Sequence, residues 1–191
     1  MNTTRGAISR RGRRAAAFGL LLLAAPAPWS AAAGPPASPV RRIEVLSERD
    51  ALAAGEREGL AVRVVMSGEY HVNSHVPSEE YLIPTRLSEI PAEGIEWGEW
   101  IYPEGEMKRF SFSKTPLRIY EGTFLIRGSL RAAAGAAPAT RRLALELRYQ
   151  SCTREKCLPP RTEKVPFEIR IVPSATPTRR LHPDLFPAAP R

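Results

Sequence analysis

Between residues 40 and 172, apolar side chains recur at every second position, the period of strands with one dry face and one wet face. Leu143, Leu145, Leu147 and Tyr149 alternate with Arg142, Ala144, Glu146 and Arg148, and Val165, Phe167, Ile169 and Ile171 alternate with Lys164, Glu168 and Arg170. The same period runs through Leu60, Val62, Val64 and Met66, and through Phe124, Ile126 and Leu130. Further short strands are expected at residues 40–46, 70–76, 95–102 and 108–112. Residues 47–54 (SERDALAA) read as one short helix, with Ser47 and Asp50 as a weak capping box, or as a loop. Seven or eight strands separated by Gly, Pro and Ser clusters predict an all-β antiparallel sandwich. The run RAAAGAAPAT at 131–140 joins two strand patterns and is expected to be a solvent-exposed connection.

The ends are different. Pro26, Pro28, Pro35, Pro36 and Pro39 precede the strand region, and Pro173, Pro177, Pro183, Pro187 and Pro190 follow it. Residues 34–39 therefore read as a Pro-rich linker and 173–191 as a Pro-rich disordered tail. Residues 1–33 have the order of a secretory signal peptide: basic residues to Arg14, the apolar run AAAFGLLLLAA, and small residues before Gly34. Ser9-Arg10-Arg11 opens like a twin-arginine signal, but Gly12-Arg13-Arg14 stand where apolar residues would be wanted, which favours ordinary export. The apolar run is shorter than the roughly 20 residues a membrane-spanning helix needs. The mature protein is expected to be soluble and periplasmic or otherwise exported.

Charge then loses its first meaning. The net charge of +8 rests largely on Arg5, Arg10, Arg11, Arg13 and Arg14, in a segment with no acid. The remaining chain is near neutral, so no nucleic-acid partner is expected.

Export places Cys152 and Cys157 where disulfides form and persist. Bridging them closes a very short loop, for which chain entropy supplies only about 2 kcal/mol. One reading is therefore a local structural clip in a non-redox binding domain. Another is chemistry. If odd positions from Leu143 to Tyr149 face the core, Ser151 turns inward and Cys152 outward, within reach of a partner. Arg154, Lys156 and Arg161 favour thiolate, the attacking form, while Glu155 opposes it. Leu158-Pro159-Pro160 cannot continue a ladder and should hold the backbone after Cys157 extended.

His71 and His75 add two ligand types, which makes copper or zinc a competing reading. On a strand, however, four residues span about 13 Å, so both rings could join one tetrahedral site only if the strand breaks between them. A Cys–His hydrolase lacks any residue placed as an orienting carboxylate or oxyanion hole. Neither a metal nor a cofactor is expected. Trp97, Trp100, Tyr102, Phe110 and Phe112 are expected to pack in the core, with one ring able to cover the cysteine pair.

Several short runs, in this order, carry a resemblance: Gly68-Glu69-Tyr70-His71-Val72-Asn73-Ser74-His75, Leu82-Ile83-Pro84-Thr85, Tyr102-Pro103, Ile119-Tyr120-Glu121-Gly122, and Tyr149-Gln150-Ser151-Cys152 with Cys157-Leu158-Pro159-Pro160. Over about residues 40–172 the chain resembles the periplasmic N-terminal domains of the thiol:disulfide interchange protein DsbD. The resemblance implies an immunoglobulin-like antiparallel β-sandwich and a redox relay in which Cys152 and Cys157 are the reacting pair. It implies a protective cap loop, placed at residues 110–115 with Phe110 or Phe112 as cover. Its implied partners are a membrane thiol transporter and thioredoxin-like or disulfide-isomerase proteins. The full interchange protein continues into membrane-embedded and thioredoxin-like domains whose patterns are not found here, so electrons are expected to arrive from separate proteins.

Overall fold

The computed structural model describes residues 38–187. The signal-peptide expectation for 1–33 and most of the 34–39 linker lie outside the described residues. Among those described, every regular element is a strand, and no helix is long and apolar enough to cross a membrane.

One four-stranded sheet has the order β1-β3-β9-β6. It is built from β1 (Val40–Ser47), β3 (Arg57–Met66), β9 (Thr123–Ala132) and β6 (Ile95–Trp97). A second sheet, of order β2-β12-β10-β5, contains β2 (Leu52–Ala53), β12 (Arg161–Val172), β10 (Ala139–Tyr149) and β5 (Arg86–Glu89). The alternation read in the sequence selects the facing surfaces. Val62, Val64, Phe124 and Ile126 from the first sheet and Leu145, Leu147, Tyr149 and Val165 from the second bury together in one cluster. Leu60 and Leu130 meet Leu143, Ile169 and Ile171 in an adjoining one. Two sheets sharing an apolar interior in this way form an all-β immunoglobulin-like sandwich.

A third four-stranded sheet, of order β11-β4-β8-β7, adds Val72 and Tyr120 to the first of these clusters. Its strands are β11 (Ser151–Cys152), β4 (His71–Asn73), β8 (Leu117–Glu121) and β7 (Glu106–Lys108). Leu117 and Ile119 of β8 form a small cluster with Leu82, against which Phe110 packs.

Several expectations are corrected. Residues 47–54 form no helix: Ser47 ends β1, and Leu52–Ala53 pair in parallel with Ile171–Val172, so the pairing is not uniformly antiparallel. Backbone groups that a helical turn would use are bonded elsewhere: Glu48 N–H to Gly59 O of β3, Asp50 N–H to Arg179 O and Ala54 N–H to Val172 O. The strands expected at 70–76 and 95–102 are cut to β4 and β6, and that at 108–112 shifts to Glu106–Lys108.

The 173–191 tail is not free where it is described. Leu181 N–H donates to Glu48 O at 2.6 Å and Asp50 N–H to Arg179 O at 3.0 Å, while Arg49 and Arg180 form an antiparallel bridge. Asp50 Oδ1 accepts from Arg179 N–H at 2.9 Å, and Arg180 Nη2 lies 3.2 Å from Glu48 Oε1. The Phe186 ring covers Gly59, where a Cβ would come within 3.2 Å of it. Proline content suggested an extended segment; extended backbone is also what pairs with a free edge.

Candidate functional site

Strand β10 pairs with β12 in unbroken register as far as Tyr149 opposite Arg161. Tyr149 is buried, and its hydroxyl donates to Glu163. Beyond Tyr149 the chain changes sheets. Gln150 interrupts the strand, and Ser151–Cys152 pair with Val72 and His71 of β4.

The chain then turns through Thr153–Lys156. Thr153 N–H donates to Lys156 O at 2.8 Å, and Thr153 Oγ1 accepts from the N–H groups of Glu155 and Lys156 at 3.3 Å. Cys157 returns opposite Cys152, and Leu158 N–H closes the next rung on Ser151 O at 2.8 Å. The cysteines thus occupy the non-hydrogen-bonded position between two rungs, where facing side chains approach most closely. They are joined as a disulfide, with Cα atoms 3.9 Å apart. Pro159 and Pro160 offer no N–H, so pairing ceases until β12 begins at Arg161, and Gln150 Nε2 donates to Leu158 O at 3.1 Å across the base.

The two cysteines differ in access. Cys152 is 1% exposed, whereas Cys157 is exposed. The parity expectation that turned Cys152 outward is corrected. Alternation counts faces of one sheet, and the chain leaves that sheet at Gln150; Ser151 and Cys152 are both buried in the next one.

Register sets a row across the third sheet. Cys157 faces Cys152, Cys152 faces His71, and His71 faces Glu121 of β8. Directly opposed residues share a face, with Cβ atoms about 4.5–5.5 Å apart. Phe110 stacks on the His71 ring at a centroid distance of 4.3 Å, and Phe112 stacks on Phe110 at 5.3 Å. Phe110 is half-buried. Phe112 is 42% exposed, which corrects the expectation that it packs in the core. Trp97, Trp100 and Tyr102 do pack against the main cluster.

An open groove of about 1060 Å³ lies beside the pair, lined by residues 108–111, the 153–156 turn, residues 68–71 and Glu121-Gly122. Ser111 Oγ donates to Arg154 O at 3.5 Å, tying the Phe110 segment to the turn. Lys108 Nζ bonds Glu121 on the same rim. Arg154 and Lys156 are exposed on the turn and Arg161 at the start of β12.

Electrostatics single out His71. Burial pushes its pKa down to about 4, against the pull of Glu121 and with a further push from Lys108. The imidazole is therefore neutral near neutral pH, and its Nε2 is buried without a hydrogen-bond partner. His75 is turned elsewhere, stacked on Tyr102 at 3.7 Å with Nδ1 3.2 Å from Thr85 O. The two imidazoles that suggested a metal site serve different aromatic rings, and among the described residues no three His, Cys, Asp or Glu side chains converge to hold an ion.

The family model for the N-terminal region of the thiol:disulfide interchange protein DsbD matches residues 42–169. The chain belongs to this family. Membership in the DsbD N-terminal family, together with the Cys152–Cys157 bridge, identifies a thiol-disulfide interchange module. Among solved structures, the chain is similar to the N-terminal domain of DsbD from Neisseria meningitidis in the reduced form, at 20% identity and a TM-score of 0.44, over 76% of this chain and 93% of that one. It is also similar to the N-terminal periplasmic domain of ScsB from Proteus mirabilis, at 9% identity and a TM-score of 0.45, over 66% of this chain and 46% of that one. None of the curated proteins matches the sequence.

Proposed function

We propose that this DsbD N-terminal module is exported, accepts electrons from a membrane thiol transporter and passes them to thioredoxin-like or disulfide-isomerase proteins through Cys152 and Cys157. The observation that supports this reading best is the unequal access of the two sulfur-bearing residues. In thiol exchange one sulfur must meet a partner's, while the other waits to close the bridge. Cys157 is exposed at the end of the hairpin turn whose residues 153–156 line the open groove, and Cys152 is buried.

Cys157 is thus the attacking residue and Cys152 the resolving one. In the reduced pair, Cys157 thiolate attacks a partner disulfide, forming a bond between Cys157 Sγ and one partner sulfur and releasing the other as thiolate. Cys152 then displaces the partner, leaving it with two thiols and the module with its bridge. Phe110, stacked on the His71 ring that stands opposite Cys152 in the ladder and tied through Ser111 to the turn, is the cover that limits exchange with small thiols.

Single substitutions test the reading. Cys152→Ser should hold exported or membrane thiol proteins as mixed disulfides, and Cys157→Ser should trap few. If neither traps any, and a reduced thioredoxin-like protein leaves the bridge intact until the fold is disrupted, the pair is the structural clip of a binding domain. A reduction potential below roughly −300 mV would accompany that outcome.

A further inference from the structure

Opening the bridge creates a proton problem that the fold has positioned a residue to solve. A disulfide sulfur carries no hydrogen. On reduction Cys152 becomes a thiol, and at 1% exposure its S–H has little water to donate to. Directly across the ladder, on the same face, stands His71, 3% exposed, with Nε2 buried and unpartnered while the bridge is closed. Each group lacks what the other supplies, and they can satisfy one another only in the reduced state.

We propose that His71 is the proton acceptor of the reduced Cys152 thiol, taking a hydrogen bond from its S–H when the bridge is open and removing that proton when the bridge closes. This role rests on the interchange reading above, with Cys152 as the resolving residue. In the closing step Cys152 S–H gives its proton to His71, and the thiolate attacks Cys157 Sγ. The Cys152–Cys157 bond forms and the bond from Cys157 to the partner sulfur breaks. The partner leaves with the electron pair as a thiolate and is protonated by water, so it gains two electrons that the pair has lost. The imidazolium is held by Glu121, next in the row and exposed, and returns its proton to solvent.

The charged groups around the ring fit a transient rather than a resting cation. Lys108 is bonded to Glu121, and Arg109, Arg154 and Lys156 line the same groove with Glu69 and Glu155. At rest the ring is kept neutral by burial, so one nitrogen keeps a free lone pair.

The test compares His71→Phe, which keeps a ring for the Phe110 stack and removes the acceptor, with His71→Gln, which restores one. An interaction made only in the reduced state raises the reduction potential. His71→Phe should therefore shift the equilibrium with a thioredoxin-type dithiol about tenfold toward the oxidised bridge, which is about 30 mV for a two-electron couple. Release of a preformed mixed disulfide should slow about tenfold and become steeper with pH, and His71→Gln should recover part of both. In a Cys152→Ser background, His71→Phe should still trap partners, since trapping needs Cys157 alone.

Equilibrium and release rate within twofold of wild type, with trapping intact, would overturn the role of His71 and leave the interchange reading standing. A wild type that exchanges with no partner would end both. Nitrogen NMR of the wild-type protein requires no variant: the unprotonated imidazole nitrogen of His71 should shift on reduction while the ring-nitrogen resonances of His75 and His182 stay in place, and an unchanged His71 resonance would equally overturn the proposal.

Discussion

Glu58 offers the sharpest test of the physical reading of this fold. It sits on β3 at 1% exposure, with Arg49 N–H donating to its carboxylate and Glu48 and Asp50 nearby. Burial, more than the neighbouring acids, raises its pKa from 4.5 to about 7. The native state therefore binds a proton that the unfolded chain has released. Stability from this group is full below pH 4.5 and is lost as pH rises toward 7; at 1.36 kcal/mol per tenfold, the loss is about 3 kcal/mol. His71 works in the opposite sense. Its folded pKa of about 4 lies below the ordinary 6.5, so its share of stability is present above pH 6.5 and lost as pH falls toward 4. Between pH 4.5 and 6.5 the two slopes oppose and nearly cancel in the wild type. Glu58→Gln keeps an oxygen for Arg49 N–H and removes the titration. Urea unfolding of the oxidised protein from pH 4 to 8 should show the variant equal to wild type at pH 4 and more stable by about 3 kcal/mol at pH 8, a Tm gain of about 6 to 12 °C for a domain of this size. A difference that stays constant across that range would refute the reasoning, because only an ionisation confined to the wild type can make it vary with pH.

Three other outcomes follow from single contacts. Phe110→Ala removes a stacked ring worth about 1 kcal/mol, so reduction of the bridge by a small dithiol, followed by thiol titration, should speed about fivefold. Gly128→Ala would bring a Cβ within 2.4 Å of the Trp100 ring; overpacking of this kind should cost about 1–3 kcal/mol in urea unfolding and alter Trp100 fluorescence. Removing residues 173–191 uncovers the cavity that Glu58 shares with Ala175, Thr176 and Thr178, so the pH dependence assigned to Glu58 should shrink as its pKa falls back toward 4.5.

The long strands were legible because their information is local. Leu143 to Tyr149 and Val165 to Ile171 carry an alternation that a half-buried strand alone satisfies, and the structure pairs them as adjacent neighbours. The cysteine pair was legible for the same reason: five residues of separation and a Pro-Pro stop leave little beyond a hairpin end. What failed was non-local. The burial of Cys152 depends on β4, some eighty residues earlier in the chain, and no count along 143–152 could anticipate that Ser151 would pair with Val72. His71 looked like half of a metal motif because His75 is near in sequence, yet the residues that define its setting are Cys152, Glu121 and Phe110. Glu58 gave no signal, since its burial comes from its place on β3 and from the C-terminal segment that its proline content suggested would be free.

The change of sheet at Gln150 connects these points. Had β10 continued against β12 through residue 152, the alternation would have turned Cys152 toward solvent and left both sulfurs open to any thiol. By pairing Ser151–Cys152 with β4 instead, the chain buries one cysteine opposite a neutral imidazole while the turn carries the other back into the open. The break is held by Gln150 Nε2 on Leu158 O and by Leu158 N–H on Ser151 O, two bonds that span the base of the hairpin. The same few residues that end a strand therefore set the unequal access of Cys152 and Cys157, and it is this inequality that favours a pair able to attack with one sulfur and resolve with the other over a pair that only clips a loop.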